Sequence, residues 1–254
     1  MTAALDVIGL CKSFGGVRAI DNVTLSFPSG SLSAVIGPNG AGKSTFFNLI
    51  SGAFTPDAGE VRVEGRNIAG LSRAEIVRRG IGRAFQVASI FPTFTVADSL
   101  YAAVQSGQGH AERLVGRFPL SGARARAHEV AEMLGLADKL HRVASTLSHG
   151  DQKLLDIAIA LVREPRILLL DEPTAGMGPE ERWRMIEKVR ELWERQKITV
   201  VFIEHDMDIV FRIAPTIRVL CYGRVLAEGT PDEIRANPAV IEAYLGTAHE
   251  GAAA

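Results

Sequence analysis

The chain has 254 residues, of which 47% are hydrophobic and 22% charged, and its formal net charge is −1. This composition indicates a globular protein with a sizeable core, and it excludes both a disordered chain and a basic protein that binds nucleic acid or anionic lipid without specificity. The two cysteines, Cys11 and Cys221, have no CxxC partner or histidine cluster, which argues against a disulfide framework or a zinc site and favours a reducing compartment.

The N-terminal part of the chain contains short strand-like segments. These are DVIGL, NVTLSF and EVRVEGRNI, the last interrupted by Gly59 and Gly65, and they predict antiparallel hairpins. The opening MTAALDVIGL has no basic segment ahead of an apolar one, and no apolar run reaches the roughly eighteen residues of a membrane helix. We therefore expect neither a secretory signal nor a membrane-spanning segment.

Farther along, strand and helix patterns alternate. The runs LSAVIG, RILLL and ITVVFI each end in polar residues and predict buried parallel strands, while residues 43–51 and 179–194 have helical periodicity. This alternation predicts an α/β core. Residues 95 to about 164 are helical in pattern and interrupt the core, so we expect an inserted helical subdomain there. We place a single domain at 1–246 and a small, polar, flexible tail at 247–254.

The segment GPNGAGKST is the strongest single indication of chemistry. It matches G-x-x-x-x-G-K-[ST] and lies between a predicted strand and a predicted helix, as a phosphate-binding loop requires. Its glycines let backbone N–H groups point at phosphate oxygens, Lys43 supplies a charge for the β- and γ-phosphates, and Ser44 supplies a hydroxyl ligand for Mg²⁺. The predicted loop comprises Gly37, Pro38, Asn39, Gly40, Ala41, Gly42, Lys43, Ser44 and Thr45.

Two adjacent carboxylates follow the apolar run ILLL. Asp171 and Glu172 lie at the end of a predicted strand, where ligands bind in open α/β sheets. We expect Asp171 to hold Mg²⁺ through water. Glu172, on the other side of the strand, would polarise the water that attacks the γ-phosphate. The alternative is an acidic pair that merely ends a strand at the surface.

Three single residues are further candidates. Gln86 ends the strand-like GIGRAFQ and His205 follows ITVVFIE, so each could reach the γ-phosphate or its attacking water, although a polar residue at a strand end is often structural. Phe14, beside two glycines in KSFGGVRA, is suited to stacking on adenine, or it is a packed edge-strand aromatic.

The stretch LSHGDQ, residues 147–152, predicts a helix N-terminus. Ser148 and Asp151 have the spacing of a capping box, and the apolar residues after them recur on one helical face. Gly150 within the first turn leaves backbone N–H groups without a covering side chain, so this helix end could face an anion.

In this order, GPNGAGKST, Gln86, LSHGDQ, LLLDEP, residues 175–178 and His205 resemble the motifs of the ATP-binding subunits of ABC transporters. The resemblance implies a P-loop NTPase core with an N-terminal antiparallel β subdomain and an inserted helical subdomain that carries the ABC signature. It implies ATP and Mg²⁺, with Ser44, Gln86 and Asp171 around the metal and Glu172, His205 and Gln86 as catalytic residues.

The resemblance also implies a partner for the helix end. In this family two ATP-binding subunits, identical or paralogous, pack head to tail, so that Ser148 and Gly150 of one subunit contact the γ-phosphate held by the other. The chain departs from the family pattern where His149 replaces a glycine, Asp151 a glutamine and Gly178 an aspartate. An ionised Asp151 cannot donate a hydrogen bond, and the change at Gly178 predicts altered communication between the two sites.

Within the family, FPTFTVADSL, HGDQ, DEPTAGM and IEAYLG resemble the ATPases of importers for branched-chain amino acids, with relatives that serve urea and other amides. The resemblance implies transmembrane permease partners, an indirect periplasmic binding protein, and a peripheral location at the cytoplasmic face of the inner membrane. Ile90, Phe91 and Phe94 would form an apolar patch for a short cytoplasmic helix of a permease, or they are a buried loop of the helical subdomain.

Two other functions remain open at this level. One is a soluble ABC ATPase of nucleic-acid repair or translation, and the other an exporter ATPase of the lipopolysaccharide type. We expect no nucleic-acid partner, because there is no long heptad run and no basic stripe beyond Arg78, Arg79 and Arg83. The transported molecule does not touch the ATPase, so its identity is not encoded in these motifs.

Overall fold

The computed structural model describes residues 3–107 and 121–250, which fall into two compact units. One unit contains the chain up to Arg79 and from Lys197 onward, and the other is Gly80–Gln196. The described strands, in chain order, are β1 (Ala3–Phe14), β2 (Val17–Pro28), β3 (Leu32–Ile36), β4 (Ala58–Val63), β5 (Arg66–Asn67), β6 (Ile81–Ala84), β7 (Ile167–Asp171), β8 (Thr199–Ile203), β9 (Thr216–Cys221) and β10 (Arg224–Gly229).

Helices lie between and after these strands. In chain order they are α1 (Lys43–Ile50), α2 (Arg73–Arg78), α3 (Val96–Gly107), α4 (Ser121–Leu134), α5 (His149–Leu161), α6 (Pro179–Gln196), α7 (Met207–Ile213), α8 (Pro231–Ala236) and α9 (Pro238–Glu250). No helix among the described residues 3–107 and 121–250 is long and apolar enough to cross a membrane.

The first unit opens with an antiparallel sheet in the order β2-β1-β4-β5, which confirms the predicted hairpins. Gly15 and Gly16 form the two-residue turn between β1 and β2, and both have positive φ, as the turns that match strand twist require. The sheet presents alternate residues to the core; Phe27 of β2 packs against Phe46 of α1.

The first unit also contains a mainly parallel group of strands. β3 pairs in parallel with β8 on one side and β9 on the other, and β10 pairs antiparallel with β9. Every residue of β3 and β8 is buried, as expected of parallel strands covered on both faces. The strand predictions for LSAVIG and ITVVFI are confirmed.

The last helix of the chain extends into the predicted tail. α9 begins at Pro238, a residue suited to the first helical turn, and its backbone is helical as far as Glu250, beyond our predicted tail start at residue 247. Residues 251–254 of the predicted tail lie outside the described residues.

The second unit combines two strands with a helical block. β6 and β7 are parallel neighbours, which confirms RILLL as a strand, and α3, α4 and α5 pack together. These helices match the predicted helical pattern, although its part at 108–120 lies outside the described residues. α6 follows β7 and ends two residues beyond the prediction.

Candidate nucleotide site

In the first unit, the glycine-rich loop connects buried β3 to α1. At Gly37, φ is 152°, and a Cβ would collide with the carbonyl oxygen of Leu220 in neighbouring β9. Gly42 is the N-cap of α1 with φ of 100°, and a Cβ there would collide with the carbonyl oxygen of Ala19 in β2. Close backbone packing on both sides therefore sets where the loop can run, and only glycine fits at either end.

The N-terminus of α1 has the features of an anion site. Its N-cap makes no side-chain hydrogen bond and its first turn contains no acidic residue, so no group of this turn neutralises the N–H groups or the positive end of the helix dipole. Gly40 has φ of 76°, with no atom within 4 Å of the position of a Cβ, so another group can approach the backbone closely here. The residues fit a phosphate group.

Lys43 lies back over this loop. Its side chain is buried, and its ammonium donates to the carbonyl oxygens of Gly37 at 2.6 Å and Pro38 at 3.0 Å. The charge is therefore held at the mouth of the loop. Ser44, in the first turn of α1, is exposed and presents a hydroxyl oxygen, the atom type that Mg²⁺ prefers.

His205 and Phe14 lie in the same unit. Val35 of β3 pairs with Ile203 of β8, so the loop and His205 leave neighbouring strands at the same edge. His205 is exposed, and its backbone N–H donates to the buried Glu204. Phe14 is half-exposed at the β1–β2 turn, meets Phe54 edge to face at 5.2 Å between ring centroids, and is not a core residue.

A further residue in this unit escaped the sequence analysis. Tyr244 of α9 accepts a hydrogen bond from the backbone N–H of Gly37, so the C-terminal helix supports the phosphate-binding loop. Burial raises the pKa of the Tyr244 phenol to about 12, and the bond from Gly37 opposes this rise. In the sequence, Tyr244 is the aromatic residue of IEAYLG. That segment indicated a resemblance to a family, but it did not indicate a contact with Gly37.

In the second unit, Asp171 ends β7 with its carboxylate buried. Arg83 of β6 donates to its Oδ2 at 2.7 Å, and both side chains are largely buried. Parallel pairing of β6 with β7 brings these strand ends together. Asp171 thus has a structural partner in Arg83, and its role toward Mg²⁺ stays a prediction.

Glu172 does not continue the strand. Its φ is 47°, in the left-handed region that non-glycine residues seldom adopt, so strand alternation does not set its direction and our argument from alternation was wrong. Its carboxylate Oε2 instead accepts a hydrogen bond of 2.7 Å from Nε2 of Gln86. The structure therefore brings two predicted site residues together. The unfavourable backbone conformation of Glu172 is of a kind that clusters at active sites and ligand-binding sites.

Ser148 caps α5 as predicted, but the capping box is incomplete. Its hydroxyl accepts from the backbone N–H of Asp151 at 3.2 Å, whereas the Asp151 carboxylate pairs with Lys139 at 2.7 Å instead of returning to Ser148. Aspartate is one methylene shorter than the glutamate of a full box. A Cβ at Gly150 would meet the end of the flexible Glu181 side chain, so a larger residue here would have to displace that carboxylate.

His149, one of the departures from the family pattern, contacts the segment in which Gly178, another departure, lies. His149 Nε2 is 3.1 Å from the carbonyl oxygen of Ala175, and a Cβ on Gly176 would lie 3.2 Å from the same nitrogen. The start of α5 therefore contacts the segment after β7. At Gly178, none of the described atoms lies within 4 Å of the position that a Cβ would occupy, and φ is not positive. Neither packing nor backbone conformation therefore requires glycine there.

Sequence analysis also missed two buried charges on α5. Lys153 and Asp156 interrupt its apolar pattern, which was the available signal, and both bind the segment that follows β6. Burial raises the pKa of the Asp156 carboxyl from its ordinary value near 3.8 to about 6, against the opposing effects of two backbone N–H bonds and the Lys153 charge.

This shift predicts a pH dependence of stability. A carboxyl whose pKa is raised in the folded state contributes stability below its unfolded pKa, and that contribution is lost as pH rises through about 6. The parent should therefore gain roughly 2 kcal/mol of unfolding free energy over Asp156→Asn between pH 7 and pH 4. Urea unfolding of both proteins across this range measures the difference, and a difference independent of pH would contradict the shift.

The remaining question is whether the side chains suit Mg²⁺. No group of three or more His, Cys, Asp or Glu within residues 3–107 and 121–250 forms a metal cluster. Each unit has an oxygen donor of the type that Mg²⁺ prefers: the exposed Ser44 hydroxyl in the first unit and, because Nε2 of Gln86 is turned to Glu172, the amide Oε1 of Gln86 in the second. The Ser44 hydroxyl, in the first turn after the phosphate-binding loop, suits an ion whose other ligands are water and phosphate.

A strand, glycine-rich loop and uncapped helix with a lysine over the loop define a nucleotide-binding protein of the P-loop class. The family model for ABC transporters matches residues 20–175, more than half of the chain. The chain belongs to the ABC transporter ATP-binding family and is a cassette ATPase. A second model, for branched-chain amino acid ATP-binding cassette transporters, matches residues 224–250.

Similar proteins cover nearly the whole chain. The high-affinity branched-chain amino acid transport ATP-binding protein LivG of Salmonella typhimurium is 41% identical over 250 residues, covering 96% of this chain and 98% of the relative. BraF of Pseudomonas aeruginosa, described in the same words, is 39% identical over 251 residues with the same coverage.

Solved structures agree with the fold. The ADP conformation of MJ1267, an ATP-binding cassette of an ABC transporter, has a TM-score of 0.86 and 31% identity and covers 97% of this chain and 100% of that one. The cassette MJ0796, in a dimeric post-hydrolysis state bound to ADP and phosphate, has a TM-score of 0.75 and 27% identity, covering 89% and 98%. The predicted fold class is confirmed.

Proposed function

We propose that this chain is the ATP-hydrolysing subunit of a membrane importer for branched-chain amino acids or related amides, located at the cytoplasmic face of the inner membrane. The observation that carries the hydrolytic part is the 2.7 Å bond from Gln86 to Glu172, since it holds a carboxylate beside a residue suited to sense a γ-phosphate. The transport part is supported by full-length similarity to subunits named for that substrate class.

Each predicted residue has a place in this reaction. The N–H groups of the loop and Lys43 bind the phosphates, Glu172 accepts the proton of the attacking water, and His205 and Gln86 orient the reacting groups. Ser44 and Gln86, with Asp171 through water, would hold Mg²⁺. That ion supplies charge neutralisation on the phosphates when bound. Phe14, exposed at its turn, supports stacking on adenine.

The active form is a head-to-tail dimer with an identical or paralogous subunit. Ser148 is exposed at the first turn of α5, and Gly150 follows it, so this helix end can meet a phosphate held by the partner. The dimeric cassette among the similar structures supports such an assembly.

The permease contacts an apolar patch in the second unit, formed by Val87, Ile90, Phe91 and Phe94. Val87 is 82% exposed, Phe91 49% and Phe94 41%, so these residues do not form a buried loop. The rings of Phe91 and Phe94 stack at 5.1 Å between centroids and present one apolar surface next to Gln86 in the chain. This position would let a permease helix act on the residue that senses the γ-phosphate.

Phe91→Glu should abolish co-purification with the permeases while ATPase activity of the isolated subunit stays within about twofold, because a charge would be buried in the docking surface. The matched control is Ile241→Glu, a similarly exposed apolar residue on α9, which should leave co-purification intact. If Phe91→Glu misfolds by circular dichroism, the patch is structural; if it folds and still co-purifies, permease docking lies elsewhere.

The substrate class has its own test. The chain, its permeases and a binding protein are reconstituted in liposomes with internal ATP, and uptake of radiolabelled leucine and of urea is compared. ATP-dependent leucine uptake that stops with Lys43→Ala supports the proposal. ATP hydrolysis without uptake of either solute would leave a cassette ATPase but refute this transport role, in favour of export or nucleic-acid work.

A further inference from the structure

Two oppositely charged side chains lie buried one turn apart on α5. Lys153 is 1% exposed and Asp156 is 2% exposed, on the helix whose N-cap is Ser148. Burying charges costs free energy, and apolar side chains of similar size would usually fill such positions at no loss of stability. Their contacts therefore need an explanation.

Lys153 binds three backbone carbonyls. Its ammonium donates to the oxygens of Phe85 at 2.6 Å, Gln86 at 2.7 Å and Asp171 at 3.3 Å. The first two belong to the segment after β6, and the third to the end of β7. One buried cation thus joins α5 to both segments.

The Asp156 carboxylate binds the same segment by accepting hydrogen bonds from two of that segment's backbone N–H groups. Its Oδ2 accepts from the backbone of Phe85 at 2.8 Å and its Oδ1 from Ser89 at 3.2 Å. The peptide groups on both sides of Phe85 are therefore held by α5, and so is the far end of the segment 85–89. A carboxylate with two oxygens can accept both bonds, whereas an amide cannot.

These contacts surround the bond between Gln86 and Glu172. Lys153 binds the carbonyl of Gln86 itself and that of Asp171, the residue directly before Glu172. Lys153 lies five positions after Ser148, about 7.5 Å along the axis of α5. A shift of the helix end at Ser148 would move the ammonium and, through it, both backbones that present Gln86 and Glu172.

We infer that Lys153 and Asp156 are positioning residues that link Ser148 to the Gln86–Glu172 pair, so that contact at the start of α5 sets the geometry of hydrolysis. This inference rests on the proposed function, which gives Ser148, Gln86 and Glu172 their roles. Neither Lys153 nor Asp156 touches the reacting atoms.

The first test is Lys153→Met, which keeps the length of the side chain and removes its donors. We expect kcat for ATP to fall at least tenfold while KM stays within about twofold, because the phosphate-binding loop is in the other unit and keeps its own contacts. Lys188→Met is the matched control, since Lys188 pairs with Glu191 on the surface of α6. A parental kcat, or a loss that appears in KM alone, would overturn the inference.

A double-mutant cycle separates positioning from general damage. The bond from Lys153 to the Gln86 carbonyl is the shorter, at 2.7 Å against 3.3 Å to Asp171, so we expect Lys153 to act mainly through Gln86. Lys153→Met should therefore lower kcat less than about threefold in a Gln86→Ala background. A further tenfold loss of kcat in that background would overturn the inference, but it would not contradict the proposed function. A parental kcat for Gln86→Ala alone would instead refute the role proposed for Gln86, and this inference with it.

Asp156→Asn keeps the test decisive if Lys153→Met does not fold. The amide oxygen can accept only one of the two N–H bonds comfortably, so hydrogen exchange in the segment 85–89 should become at least tenfold faster and kcat should fall at least threefold. Faster exchange with parental kcat would show that the segment is held but does not matter for catalysis, and would overturn the inference, as would unchanged exchange.

Discussion

Glu172→Gln should bind ATP with nearly parental affinity and hydrolyse it at least about a hundredfold more slowly. The substitution removes the group that accepts a proton and keeps the shape of the side chain. The bond from Gln86 can persist, because the new amide oxygen can accept from Nε2 as the carboxylate does. A dimer with ATP should consequently accumulate, and turnover and light scattering measured on the same sample test both statements.

The control for this substitution is Glu194→Gln, which makes the same change at an exposed ion pair with Arg190 on α6. It should leave turnover unchanged. A parental rate for Glu172→Gln would refute Glu172 as the general base. A slow rate with no ATP-dependent dimer would still agree with Glu172 as the general base, and it would show that the variant fails to form the dimer.

Much of the fold follows from local patterns in the sequence. The runs that became β3, β7 and β8 are short, apolar and bounded by polar residues, and both the glycine-rich loop and the cap at Ser148 have spacings that few other structures would use. These features depend on residues near one another in the chain, which is why pattern analysis finds them.

The contacts that tune the site depend on residues far apart in the chain. Lys153 and Asp156 reach back across 67 to 71 positions to the segment after β6, and Tyr244 reaches Gly37 from the last helix. Periodicity identifies a charged residue on an apolar face but not its partner. Only the packing of α5 against β6 and β7 shows which carbonyls and N–H groups they satisfy.

Backbone conformation was also beyond sequence analysis at one important position. Glu172 has positive φ, a conformation that residue type does not suggest, because glutamate disfavours it. Its side chain is directed by the turn after β7 and by Gln86, so the catalytic assignment came from the motif while its geometry came from the fold. The same holds for Asp151, whose partner is Lys139 and not the backbone of Ser148.

Lys43→Ala and Ser148→Arg should each be inactive alone and should partly restore activity when mixed. Lys43 is held over the loop by two carbonyls of the first unit, while Ser148 is exposed in the second, so the two changes damage different surfaces. In a homodimer each change affects both sites, whereas in a mixed dimer one site combines both defects and the other keeps intact Lys43 and intact Ser148.

Random pairing makes about half of the dimers mixed, and one of their two sites is intact, so we expect about a quarter of parental turnover in an equimolar mixture. Ser72→Arg is the control for a lost helix cap, since it makes the same change at the exposed N-cap of α2 and should stay active. An ATP-bound dimer of Glu172→Gln, measured under the same conditions, would show that homodimers form. Once that dimer is established, zero activity in the mixture would mean that the two sites hydrolyse ATP only together. Parental activity in Ser148→Arg alone would mean that LSHGDQ serves only as a helix cap and does not contact the partner's nucleotide.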